Sequence, residues 1–255
     1  MDSEQLKLED KKISIALMSS FVVLMVQYLI LVSADLMGTT TGRSVQLLSK
    51  TVVVTAFAYA LPIVLRRNKK RCIGTYLAGI SVLLAHYVMF PENNVHQQQL
   101  MLPLFSMCLP AFIYSSTICD WKVLRDIMKK ASYIVFCAGV LLGILLFLGR
   151  ASVGTYSMPL SYYLLLPALM FIDEFLDRPS LKDIVFAFLL IVLILAVGSR
   201  GPIMCILVFI ILKLIGSRKR LRYTDLFAYL ILLCLVVVMA LSHDQLLAYT
   251  YHSLS

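Results

Sequence analysis

A chain of 255 residues that is 60% hydrophobic, 15% charged and has a mean hydropathy of +0.89 does not have the polar surface of a soluble globular domain. Its formal net charge of +9 would suit a nucleic-acid partner, but the positive residues fall in short segments between apolar stretches, which argues against that class. The six cysteines (Cys72, Cys108, Cys119, Cys137, Cys205 and Cys234) stand singly, without C-x-x-C or metal-ligand spacing, and read as small apolar packing residues.

Several windows of roughly 18–20 residues carry no charge, the length an α-helix needs to cross about 30 Å of hydrocarbon. The head MDSEQLKLEDKK is polar and of mixed charge, and the apolar stretch after it is long enough to span rather than be cleaved as a signal peptide. Spans are predicted at 13–32, 45–65, 72–90, 100–118, 131–148, 160–172, 184–199, 202–216 and 224–241, about nine in all. The expected fold class is therefore all-α: a polytopic integral membrane protein whose single membrane domain covers 1–255.

Charge orients these spans. With the N-terminus in the cytoplasm, the inner segments are the head, RRNKKR at 66–71, CDWKVLRDIMKK at 119–130, DEFLDRPSLKD at 173–183 and GSRKRLRYTD at 216–225. Together with Lys213, which would snorkel towards the last of them, they hold nineteen of the 23 Lys and Arg residues. Arg43, Lys50, Arg150 and Arg200 fall on the outer side, against the usual bias. The tail 242–255 begins an external loop, with the C-terminus outside.

Residues 184–216 need separate treatment. As one helix they would extend about 50 Å at 1.5 Å per residue, too long for one straight span. Gly198-Ser199-Arg200-Gly201-Pro202 interrupts the run, and Pro suits the first turn of a new helix. A hairpin keeps both basic flanks on one side of the membrane, whereas a single crossing would separate them.

The pattern AVGSRGPIMCILVFIILKLI resembles the SRG signature of the O-antigen ligase and polymerase superfamily, the Wzy-type polysaccharide polymerases. YSMPLSYYLLLPALMFI at 156–172 is similar to the span before that signature. The resemblance covers mainly about 150–241; the first 150 residues agree in hydropathy alone.

The resemblance implies a metal-independent glycosyltransferase that uses no cofactor. An oligosaccharide on undecaprenyl diphosphate would pass from its anomeric carbon to a hydroxyl of a second lipid-linked unit. Negative charge then develops on the diphosphate, which calls for fixed cations at the outer interface. Arg200 leads, since a guanidinium binds phosphate oxygens bidentately and stays charged. Ser199 and Gly201 flank it, and the helix after Pro202 adds free N–H groups. Arg150, Lys50 and Arg43 are further candidates for holding diphosphate or glycan. Each has a plainer reading: a helix-end charge for Arg150, a snorkelling side chain for Lys50, a solvated loop charge for Arg43. Gly198 and Gly201 are expected first of all to permit the turn.

A general base for the acceptor hydroxyl is expected among Asp35, Glu92, His96, His243, Asp244 and His252, with His243 foremost. His86, inside a span, reads as a hydrogen-bonded packing residue. Tyr162-Tyr163 and Tyr249/Tyr251 fit an interfacial belt or sugar stacking.

Members of this family generally continue through a large external loop into further helices, so the chain reads as C-terminally truncated. The expected setting is the bacterial cytoplasmic membrane. The expected partners are membrane lipids, the lipid-linked oligosaccharide, and a flippase and chain-length regulator of the same pathway. The alternatives are an O-antigen ligase, a non-enzymatic transporter or flippase of lipid-linked sugars, and an inactive fragment of a polymerase.

Overall fold

The computed structural model describes residues 3–148, 158–197 and 201–216. Every regular element among them is helical: α1 (Ser3–Ser33), α2 (Thr40–Met89), a 3-10 turn (Pro91–Asn93), α3 (Asn94–Pro103), a π turn (Leu104–Cys108), α4 (Leu109–Ser115), α5 (Trp121–Phe147), α6 (Met158–Asp177), α7 (Leu181–Ala196) and α8 (Gly201–Gly216). A helix satisfies its own backbone N–H and C=O groups, which is why apolar sequence of this kind takes that form.

Three of the described helices, Glu4–Ser33, Thr40–Met89 and Trp121–Leu145, are long and apolar enough to cross a membrane. Hydropathy alone suggested about nine spans, and the difference has identifiable sources. The stretches 45–65 and 72–90 belong to one helical run, which leaves helical geometry at Asn68 (φ −137°, ψ 41°), inside the basic run 66–71. The stretch 100–118 is divided by the π turn, where the helix takes in an extra residue between Pro103 and Pro110. The span at 131–148 begins earlier, at Trp121, because the charged residues before it continue the helix. The stretch 224–241 and the tail lie outside the described residues.

The chain forms two compact units. The first comprises Met1–Val23 with Gln46–Met128, the second Leu24–Val45 with Lys129–Ser255.

In the first unit, α2 buries Val53, Phe57, Ala60 and Val64, a stripe at helical spacing, and Ile13 and Ala16 of α1 and Ile113 of α4 are buried as well. Hydroxyl groups brace the apolar contacts. Tyr114 Oη donates to the Phe57 carbonyl, and the two rings meet edge-on at 4.9 Å. Tyr76 Oη donates to the Phe105 carbonyl at 3.1 Å, with their rings stacked at 6.0 Å.

In the second unit α6 packs against both α7 and α8. Phe171 is its anchor, with ring contacts to Tyr133 and Phe136 of α5 and Phe186 of α7 at 5.3–5.6 Å. Gly139 and Gly143, four residues apart on α5, leave room for Leu164 and Leu193: a Cβ at either glycine would come within 2.4–2.5 Å of the leucine Cδ2. Ile203, Ile206 and Ile210 form the buried stripe of α8, while Met204, Val208, Ile211 and Leu212 are exposed. Large apolar side chains exposed on several helices are unfavourable in water and favourable against lipid. Cys72 is buried, but Cys108, Cys119, Cys137 and Cys205 are exposed, so packing against protein does not account for those four; all five are free thiols.

Candidate functional site

The described part of the SRG motif is its end. Gly201 opens α8 and Pro202 follows, where the missing N–H costs no intrahelical hydrogen bond. Tyr162, on the second turn of α6, brings its hydroxyl against this glycine. A Cβ at Gly201 would lie 2.5 Å from Tyr162 Oη and 3.3 Å from Cζ, closer than any non-bonded carbon tolerates. The missing side chain therefore lets a phenol reach the first turn of α8. Tyr162 is 44% exposed, whereas neighbouring Leu160 and Ser161 are buried. Further along α6, Pro167 lacks the N–H that a regular helix would offer to the Tyr163 carbonyl. The start of α8 thus combines unpaired backbone donors with a hydroxyl able to donate and accept, a set suited to an oxygen-rich ligand.

Arg200, Ser199, Arg150 and His243 lie outside the described residues. Arg43 and Lys50 are both exposed on α2. The Arg43 guanidinium and the Lys50 ammonium have no partner among the described residues, and Arg43 is tied only through its backbone N–H to the Thr39 carbonyl at 3.1 Å. Of the candidate bases, Asp35 sits in the turn after α1 with φ of +50°, and Glu92 and His96 are exposed. His86 is half-buried: its Nδ1 accepts from Gln97 Nε2, and its ring lies 5.0 Å from that of Phe90. No cluster of His, Cys, Asp or Glu among the described residues could hold a metal ion.

The densest polar network lies elsewhere, in the first unit, and was not anticipated. Asp10 is fully buried on α1. It pairs with Arg67 and accepts backbone N–H groups from Cys119 at 3.2 Å and Asp120 at 2.8 Å. Glu9 pairs with Arg66 and, at 2.7 Å, with Arg67. Asn68 Nδ2 donates to Thr117 Oγ1 at 3.2 Å, so the break in α2 is itself cross-linked. The Asp120 side chain accepts from the Lys122 N–H at 2.9 Å and caps α5. An Asp-Arg pair that must bury together was detectable only as opposite charges flanking two apolar runs.

The second unit has its own charged end. Lys213 of α8 binds Asp173 and, at 2.8 Å, Asp177, both on α6, and Lys129 of α5 binds Glu174 at 2.6 Å. Lys182 lies over the Tyr133 ring, 4.9 Å from its centre. Lys213 is thus held by carboxylates rather than extended to a loop.

Compared with known proteins, the chain matches no family model, no curated protein and no solved structure.

Proposed function

We propose that this protein polymerises lipid-linked oligosaccharide repeat units for O-antigen, capsule or exopolysaccharide on the outer side of the bacterial cytoplasmic membrane. In this reading about nine helices span the bilayer, with the N-terminus inside and the C-terminus outside, as the distribution of Lys and Arg requires. The observation that carries the reading is the GSRGP sequence at 198–202, whose Gly201 opens α8 against the Tyr162 hydroxyl.

The proposed chemistry is a displacement at an anomeric carbon. An acceptor hydroxyl forms the new C–O bond as the bond to diphosphate breaks, and the bonding pair leaves on the diphosphate oxygen. The hydroxyl proton passes to a base, for which His243 is the proposed residue. Arg200 neutralises the leaving diphosphate, and the free N–H groups at the start of α8 add to it. Ser199, Gly201, Arg150, Lys50 and Arg43 are proposed to line the path of the diphosphate or glycan.

The test is the length distribution of surface glycan on a gel in the native host. The gene is deleted, then restored unaltered or as Arg200→Ala. The expected outcome is a ladder that collapses to single repeats and returns only with the unaltered gene. An unchanged ladder on deletion overturns polymerisation. A normal ladder with Arg200→Ala removes Arg200 from the site. Intact ladders that fail to reach their final acceptor would instead indicate the ligase.

A further inference from the structure

Three charged segments of the first unit meet at one place, residues 4–12, 66–71 and 116–126, joined by the Glu9, Asp10 and Asn68 contacts. Together they hold ten Lys or Arg and five Asp or Glu. Glu9 and Asp10 are buried and turned inward on Arg66 and Arg67, so neither offsets the cations around them. Lys7, Lys11, Lys69, Lys70 and Lys122 are exposed, and none has a carboxylate partner among the described residues. Arg71 is exposed as well and donates to the Ser116 carbonyl at 3.3 Å.

A second observation comes from another kind of residue. Trp121, the only tryptophan of the chain, begins α5 directly between Asp120 and Lys122 and is 64% exposed. Indole favours the boundary between hydrocarbon and water, with its ring in the apolar layer and its N–H at the polar edge. Exposed Leu65 and Ile73 flank the basic run on either side, so the same surface offers cations and apolar side chains in alternation. A nucleic acid would meet the cations alone. A phospholipid with net negative charge meets both, its phosphate on the lysines and its chains on the apolar flanks.

We propose that this face is a binding surface for the headgroups of anionic phospholipids, with Trp121 fixing its depth at the interface. The proposal rests on the membrane-embedded part of the reading above and is independent of glycosyl transfer. Zwitterionic lipids carry their own cation beside the phosphate and gain little from uncompensated lysines.

Because Trp121 is the only tryptophan, its fluorescence reports this surface alone. The full chain is placed in vesicles containing, at equal mole fraction, either phosphatidylglycerol or phosphatidylcholine brominated near the top of the acyl chains. Quenching by the anionic lipid is expected to exceed that by the zwitterionic lipid by about two-fold or more. The variant Lys69→Gln/Lys70→Gln/Lys122→Gln is expected to lose this preference while keeping its quenching by phosphatidylcholine. Equal quenching of the unaltered protein by the two lipids overturns the proposal, as does a preference that survives the triple substitution. Equal but substantial quenching leaves the chain embedded and its polymerase reading untouched. No quenching by either lipid overturns the proposal and the membrane reading together.

Discussion

The carboxylate of Asp10 accepts the backbone N–H of Asp120 at 2.8 Å, so a side chain on the first helix caps the start of the fifth. The same carboxylate pairs with Arg67, whose side chain is only 10% exposed. A buried ion pair can be matched by a good apolar substitute, but removing one partner leaves a charge in a poorly solvated site. Asp10 also supplies a negative group where α5 presents unpaired N–H donors.

Asp10→Ala is therefore expected to destabilise the protein by about 3–5 kcal/mol. Adding Arg67→Met should recover part of that loss, since the stranded cation is removed. Thermal unfolding in detergent micelles measures both. A single variant as stable as the parent would remove the pair from the stability of this unit.

Gly143→Val is expected to cost about 1–3 kcal/mol by forcing Leu193 off its rotamer or the helices apart. The same change at Gly74, where an added Cβ meets nothing within 4 Å, should have a much smaller effect. Unfolding of the two variants side by side separates close helix packing from the general cost of a β-branched residue in a helix. Equal losses would show that packing at Gly143 is not limiting.

Gly201→Val places a branched side chain where the Tyr162 hydroxyl now lies, 2.5 Å from the nearest added carbon. If the start of α8 handles the glycan donor, the variant should insert normally but give a shortened ladder. Gly201→Val combined with Tyr162→Ala should restore part of the length, because the crowded ring is gone. A full-length ladder from Gly201→Val alone would mean that the approach of Tyr162 is not needed.

The sequence revealed different features to different degrees. The basic run 66–71 marked the place where α2 leaves helical geometry, because charge and helix break coincide at Asn68. The GSRGP interruption marked the start of α8 for a similar reason, Pro and Gly acting locally. Hydropathy locates the apolar middle of a helix and not its ends, so α5 was expected ten residues too late. The Asp10–Asp120 and Tyr162–Gly201 relationships join residues far apart in the chain and leave no periodic signal. Lys213 was read as a snorkelling cation because carboxylates 36 and 40 residues earlier could not be placed beside it.

The π turn at Leu104–Cys108 amounts to one surplus residue carried inside an otherwise α-helical path. Each residue turns a helix by roughly 100°, so the surplus sets which way everything after it faces. Phe105 lies within the turn and Tyr114 beyond it, yet both meet partners on α2, Tyr76 and Phe57. Deleting a single codon from this stretch would relax the turn to ordinary α-helix and rotate Tyr114 away from Phe57. The reading frame would survive while the fit of the two helices was lost.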